Sequence, residues 1–332
     1  MGKNSGTVRN SSTGYCKLGY DSSFLFHEQP FRSRETPLFF GYNGDTLYGV
    51  MHHSCCPEIN TGIVICTPFF MEKMEAYSLL ANLARQLAMN GYPVLRFNYR
   101  GYGESKGEWG ENSIPEYLED IDEAIHLLRR ETGVQSVGLL GVRMGASLSL
   151  MKLMKDNSIS FAIAVEPVIH GKTYVRDLLR MNMAEQLLDK RKVRTGLREL
   201  VGNIQSGGVV YTAWFPLNRK HYEALMDVDL LQEINHVHTP LALFAIRCPH
   251  TAGQPVREFY DKIRPVSGKS IYREIECPPF WKQTPRLVRR IPALSEAVLT
   301  WLDELSTDNT FHDPPSERSF RPGKLPVAPL VP

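Results

Sequence analysis

Short apolar runs alternate along this chain with longer stretches of helical periodicity, and few architectures accommodate that rhythm. Runs at 61–66 (TGIVIC), 93–98 (PVLRFN), 136–142, 161–165, 241–248 and 270–277 have strand length, and the most continuously apolar suit strands covered on both faces. Helical patterns fill the gaps at 75–89, 114–130, 145–155 and 256–263. Ser113 and Glu116 form an S-x-x-E capping box at the second of these. A final helix gathers Leu294, Val298, Trp301, Leu302 and Leu305 on one stripe. Ahead of the first run, segments 36–42 and 47–52 flank Asn43-Gly44-Asp45 as a hairpin. Repeated strand–helix units of this size predict an α/β fold: a mostly parallel, eight-strand-type sheet with helices on both faces.

The alternation breaks between 170 and 236. That stretch holds helical patterns at 173–188 and 195–204, a Gly-Gly pair and a strand-like 209–214, and is expected to be a helical cap inserted over the sheet. The core is then split into 35–169 and 237–305. Residues 1–34 are rich in Ser, Gly and Asn, and 306–332 are Pro-rich. Both are expected to be poorly ordered.

Composition narrows the function classes. Thirty-eight basic against 36 acidic residues leave a formal charge of +2, which gives no electrostatic case for nucleic acid. No stretch approaches the roughly 18 apolar residues of a membrane span. The polar N-terminus has no secretory apolar run, and Gly6 breaks the myristoylation pattern, so a cytoplasmic location is expected. Cys16, Cys55, Cys56, Cys66, Cys248 and Cys277 show no zinc-ligand spacing and are expected to be reduced thiols. Neither a metal nor a cofactor is expected.

In open α/β sheets, ligands bind beyond the C-terminal ends of the strands. Here those ends read CTPFF (66–70), YRGYGES (99–105), GVRMG (141–145), EP (166–167), CPH (248–250) and CPPFW (277–281). FNYRGYGESKGE (97–108) resembles the D-x-R-G-x-G-x-S segment of α/β hydrolases, with Asn98 for the Asp. GVRMGAS (141–147) resembles their nucleophile elbow G-x-S-x-G, with Arg143 in the serine position. More narrowly, TPFFMEKM (67–74), the G-x-R-x-G elbow, EPVIHGKTYVRDLLRMNM (166–183) and CPPFWKQTPR (277–286) resemble the hydrolases associated with the exosortase A system. The broader relatives are serine aminopeptidase-like and acyl-esterase-like hydrolases, and the likeness runs over roughly 36–305.

The resemblance implies an α/β-hydrolase fold and assigns positions to a nucleophile, an acid and a base. A protonated guanidinium at Arg143 cannot attack. The acid position after the seventh strand holds no Asp or Glu, while Glu166 follows the sixth. The base position after the eighth reads Pro-Pro-Phe-Trp, ending at Trp281. Ser147, one helical turn beyond Arg143, should point down its helix. Cys66 is a candidate nucleophile if the nearby cation and helix N-terminus lower its pKa. His250 is a candidate base, and His170 is placed near Glu166. The connection Thr67–Phe70, with Pro68 and Phe69, and the N–H of Met144 stand where oxyanion donors are expected.

Three readings follow. The protein binds an acyl or anionic small molecule in an exosortase- or exopolysaccharide-linked pathway, with Arg143 as anion receptor or paired with Glu166. Alternatively it is a hydrolase or acyltransferase with a nonstandard nucleophile such as Cys66, or with water oriented by Glu166. In the third, the fold is a noncatalytic interaction module.

Overall fold

The computed structural model describes residues 34–41, 46–54, 59–233, 237–247, 254–264, 270–282 and 290–307. The strands in chain order are β1 (Glu35–Phe40), β2 (Leu47–His52), β3 (Thr61–Cys66), β4 (Val94–Phe97), β5 (Ser136–Val142), β6 (Phe161–Val165), β7 (Val210–Thr212), β8 (Phe215–Leu217), β9 (Leu241–Arg247) and β10 (Ser270–Glu276). Eight of them form one sheet in the order β1-β2-β4-β3-β5-β6-β9-β10, and β7-β8 is a separate hairpin. Within the sheet β2 is antiparallel to both its neighbours, and every other pair is parallel. This is the α/β-hydrolase fold.

The helices are α1 (Phe70–Met89), α2 (Ile114–Thr132), α3 (Met144–Lys155), α4 (Gly171–Lys190), α5 (Leu197–Gln205), α6 (Arg219–Met226), α7 (Leu230–Glu233), α8 (Gln254–Ile263) and α9 (Pro292–Thr307). Successive strand residues enter opposite faces, as the pleat requires. Val64, Cys66 and Leu139 join α2, α3 and α8 in one apolar cluster. Ile63, Ile65, Leu140 and Val142 join α1 and α9 in the other. Burial on both faces explains why these strands read as unbroken apolar runs. The final helix buries the expected stripe, and Glu116 accepts the Ser113 backbone N–H at 2.7 Å, as the capping box predicts.

Two elements differ from expectation. Helix α1 begins at Phe70, five residues before the expected 75, because Phe70 takes φ 54° and turns the chain immediately after Phe69. The strand expected at 209–214 is the first arm of a hairpin that turns at Ala213 and Trp214, both at positive φ (47° and 72°). The turn expected at 43–45 and the segments 1–33 and 308–332 lie outside the described residues.

Elements α4 to α7 and the hairpin close over the strand ends. The Trp109 indole N–H donates to the Pro216 carbonyl at 2.6 Å, and the Asn218 amide donates to Glu111 at 2.9 Å. The His221 ring stacks on Phe70 at 5.0 Å and 17°. Gly171 approaches Leu225 so closely that an added Cβ would fall 1.8 Å from its carbonyl oxygen.

Candidate functional site

The site grows from the turn between β5 and α3. Arg143 has φ 56° and ψ −122°, a conformation L-residues rarely adopt. Two glycines permit the turn: an added Cβ on Gly141 would fall 2.4 Å from the Ala146 Cα, and one on Gly145 would fall 2.2 Å from the Cys66 carbonyl oxygen. The elbow backbone is therefore retained around an arginine. Six described non-glycine residues have positive φ, and three of them, Phe70, Arg143 and Glu166, sit in the connections after β3, β5 and β6.

A buried cation needs an anion. The Arg143 Nε donates to Glu72 Oε1 at 3.0 Å, and Nη1 donates to the Glu166 backbone carbonyl at 3.3 Å. The second oxygen of Glu72 accepts from the Tyr174 hydroxyl at 3.1 Å. The guanidinium carbon lies 5.1 Å from the centre of the Trp281 ring and 5.8 Å from that of Tyr174, both within cation–π range. Burial raises the pKa of Glu72, and Arg143 and the Tyr174 hydroxyl pull it back. For Arg143 burial works against the charge, but Glu72, Tyr174 and Glu166 outweigh it and the pKa is raised. The pair is an ion pair held between two aromatic rings.

The expected pairing of Arg143 with the Glu166 carboxylate is thus corrected. Glu166 at φ 46° turns its carboxylate toward β9, where Oε2 accepts the Ile246 N–H at 2.7 Å. Burial raises its pKa, opposed by that hydrogen bond and by the charge on Arg143. Glu72 takes the place expected of Glu166, and neither Glu72 nor Tyr174 was singled out in the sequence. Both lie in segments that carry the resemblance, TPFFMEKM and EPVIHGKTYVRDLLRMNM. Starting α1 at Phe70 is what turns Glu72 toward the elbow.

Cys66 is also corrected. It is fully buried, and burial pushes its thiol up to about 11, only partly offset by hydrogen bonds with Ser149 and Tyr99. Burial thus disfavours the thiolate that a nucleophile at this position needs. Ser147 is fully buried, and its hydroxyl donates to the Val168 carbonyl at 2.8 Å, in the connection after β6 rather than down its helix. His170 caps α4, with Nδ1 3.5 Å from Asp229 rather than beside Glu166. His250 lies outside the described residues.

Pro68, buried, has no N–H to give. The Phe69 ring is fully buried against Phe70, Tyr99, Tyr102, Tyr117 and His221. Met144 opens α3, where backbone N–H groups and the helix dipole favour an anion. Trp281 is 5% exposed, and its indole N–H, like the Thr67 hydroxyl, has no hydrogen-bond partner among the described residues. Among those residues no cluster of His, Cys, Asp and Glu could hold a metal, and no helix is long and apolar enough to cross a membrane.

The fold has relatives among known proteins. Over 112 residues the chain is 30% identical to the thiohydrolase aneE of Aspergillus aculeatus, covering 33% of this chain and 35% of that protein. Over 90 residues it is 32% identical to the uncharacterized protein RP471 of Rickettsia prowazekii, covering 27% of this chain and 37% of that one. The chain thus spans about a third of the length of the curated relatives it matches. Among solved structures, the esterase Pf2001 of Pyrococcus furiosus aligns with a TM-score of 0.60 at 17% identity, over 82% of this chain and 91% of that one. Est1E of Butyrivibrio proteoclasticus, solved with ferulic acid bound, aligns with a TM-score of 0.58 at 12% identity, over 81% of this chain and 99% of that one. The family model described as serine aminopeptidase, S33, matches residues 60–226, half of the chain. With that match laid over an eight-stranded sheet and a glycine-flanked elbow, the chain belongs to the S33 serine aminopeptidase family of α/β hydrolases.

Proposed function

We propose that this protein binds an acyl or anionic small molecule at the Arg143 cluster, in a pathway linked to exosortase or exopolysaccharide, and that it does not run Ser-His-acid chemistry. One observation carries the reading. Each of the four segments that resemble the exosortase-associated hydrolases contributes to the same cluster: Glu72 from the first, Arg143 from the second, Glu166 and Tyr174 from the third, Trp281 from the fourth. Strained backbone in three of those connections supports a functional rather than a packing role, because strain persists where the surroundings enforce it.

The chemistry follows from what fills each position. A cation stands in place of the nucleophile, and an indole face stands where the base is expected. Arg143 has Nε and Nη1 engaged, while Nη2 has no partner among the described residues and the side chain stays 18% exposed. A ligand carboxylate or phosphate would meet that guanidinium edge and the N-terminus of α3, two features that favour negative charge. Glu72 offsets the charge on Arg143, so the ligand shares or displaces the pair.

A second reading is favoured by the likeness to a thiohydrolase: water oriented by a carboxylate of the cluster attacks a bound thioester. Both readings are tested with octanoyl-phosphopantetheine, as its thioester and as a non-hydrolysable analogue. Calorimetry should show the analogue binding about ten- to a hundredfold more weakly to Arg143→Ala, as expected for one or two charge-assisted hydrogen bonds. Arg143→Lys should recover part of the loss, lacking the planar fork. Equal affinities, or no binding to the wild type, would remove the anion site. A fluorophosphonate should not label the protein, and stoichiometric labelling of a serine beside the elbow would overturn the non-serine part. Thioester turnover that survives fluorophosphonate treatment and is lost in Glu72→Gln or Glu166→Gln would favour the second reading.

A further inference from the structure

The described residues include nine large hydrophobic side chains that stand exposed, and six of them lie between 187 and 214. Leu187 is 54% exposed, Leu188 84%, Tyr211 58% and Trp214 85%. The segments that carry them are joined by hydrogen bonds to the last turns of α4. The Asn182 amide donates to the Tyr211 carbonyl at 2.7 Å, and the Glu185 carboxylate accepts the Ala213 N–H. On the other flank Gln186 accepts the backbone N–H groups of Arg194 and Thr195, each at 2.9 Å. The hairpin tip with Trp214, the end of α4 with Leu187 and Leu188, and the segment around Val193 are thereby tied together.

The charge on this surface is one-sided. Residues 187–198 hold five Lys or Arg against a single acid, Asp189, in a chain whose net charge is only +2. Arg191, Lys192, Arg194 and Arg198 are exposed and make no ion pair with a described residue. No Asp or Glu occurs between 200 and 222, so the hairpin carries no negative charge. Of the flanking acids, Glu185 is engaged by the hairpin backbone and Glu199 sits in the first turn of α5.

We propose that this face of the insertion docks the protein on an anionic lipid surface. Exposed aliphatic side chains beside a basic cluster, with a tryptophan at a hairpin tip, match the layers of such a surface. The apolar groups enter the acyl boundary, the aromatic ring lies at headgroup depth, and the cations meet the phosphates. A second copy fits poorly, because a two-fold contact would set this basic segment against itself. The docking is peripheral, and it does not depend on what occupies the Arg143 cluster.

The test is co-sedimentation of the full chain with phosphatidylcholine vesicles, with and without about a third phosphatidylglycerol. Binding should require phosphatidylglycerol and fall away at about 0.5 M salt, where charges are screened within about 4 Å. Reversal of two cations in Lys192→Glu/Arg194→Glu should weaken binding by more than about twentyfold, at roughly fivefold per charge. Leu188→Ser/Trp214→Ser should weaken it by about tenfold or more. Both sites are exposed, so the thermal midpoint of that variant should match the wild type. Equal binding to neutral vesicles, wild-type binding by either variant, or no binding at all would overturn the proposal. A doubled mass by light scattering that Leu188→Ser/Trp214→Ser abolishes would assign the face to a second copy instead.

Discussion

Arg143 and Glu72 hold each other in a setting where neither charge would persist alone. The arginine side chain is 18% exposed and that of Glu72 11%, so removing one partner leaves a charge that water reaches poorly. Breaking such a pair costs about 3–5 kcal/mol, whereas replacing both partners with apolar residues of similar volume is often neutral. Arg143→Ala should therefore unfold at markedly lower urea than the wild type at pH 8. Without the guanidinium, the folded pKa of Glu72, already raised by burial, lies further above its unfolded value. A raised carboxylate stabilises the fold below its unfolded pKa and loses that contribution as pH rises through the folded pKa. The deficit of Arg143→Ala should accordingly shrink on going to pH 5. Arg143→Met/Glu72→Leu should recover most of the loss at both pH values, and simple additivity of the two single losses would mean that the residues are not coupled.

The elements around this pair show which parts of the fold are written locally. Strands β2, β5 and β6 coincide with their apolar runs because burial on one or both faces leaves a continuous or alternating record. The start of α1 leaves no such record: Phe69 is its N-cap, with no side-chain hydrogen bond, and the turn comes from Phe70 at positive φ. That is why Glu72 read as part of a loop. The hairpin of β7 and β8 was hidden for the same reason, since Ala213-Trp214 is not the Asn-Gly pair that announces such a turn. The elbow glycines were legible and are demanding. Gly145→Ala forces a methyl into the Cys66 carbonyl, and should cost about 3 kcal/mol or more or prevent folding. By contrast, Gly202 lies inside α5 with nothing within 4 Å of an added Cβ. Gly202→Ala should stabilise by about 0.5–1 kcal/mol. Denaturant midpoints for the two variants moving in the same direction would contradict this account.

At the scale of the whole molecule, the insertion is held to the core by aromatic packing centred on a neutral histidine. His221, on α6, stacks on Phe70 and contacts Phe69, Trp109 and Tyr117, and neither ring nitrogen has a hydrogen-bond partner among the described residues. Burial lowers its pKa to about 3, and His52 in the sheet is lowered to about 4 by burial and by Arg96. In the unfolded chain both titrate near 6.5. Below pH 6.5 the unfolded state takes up protons that the native state refuses, so stability falls as pH drops from about 6.5 toward these values. Asp120 works the other way, its pKa raised by burial from 3.8 to about 6. It favours the fold as pH falls through that interval. Glu72 and Glu166, also raised by burial, act in the same sense as Asp120, so the contribution of His221 is isolated by a variant rather than by the acid response of the wild type. His221→Phe keeps a stacked ring and removes the proton site. Relative to the wild type it should gain about 2 kcal/mol more at pH 5 than at pH 8, at 1.36 kcal/mol per pH unit below 6.5. Urea unfolding at the two pH values measures this. If the difference between variant and wild type is the same at both, His221 takes up its proton within the fold, and the insertion is not anchored by a neutral imidazole.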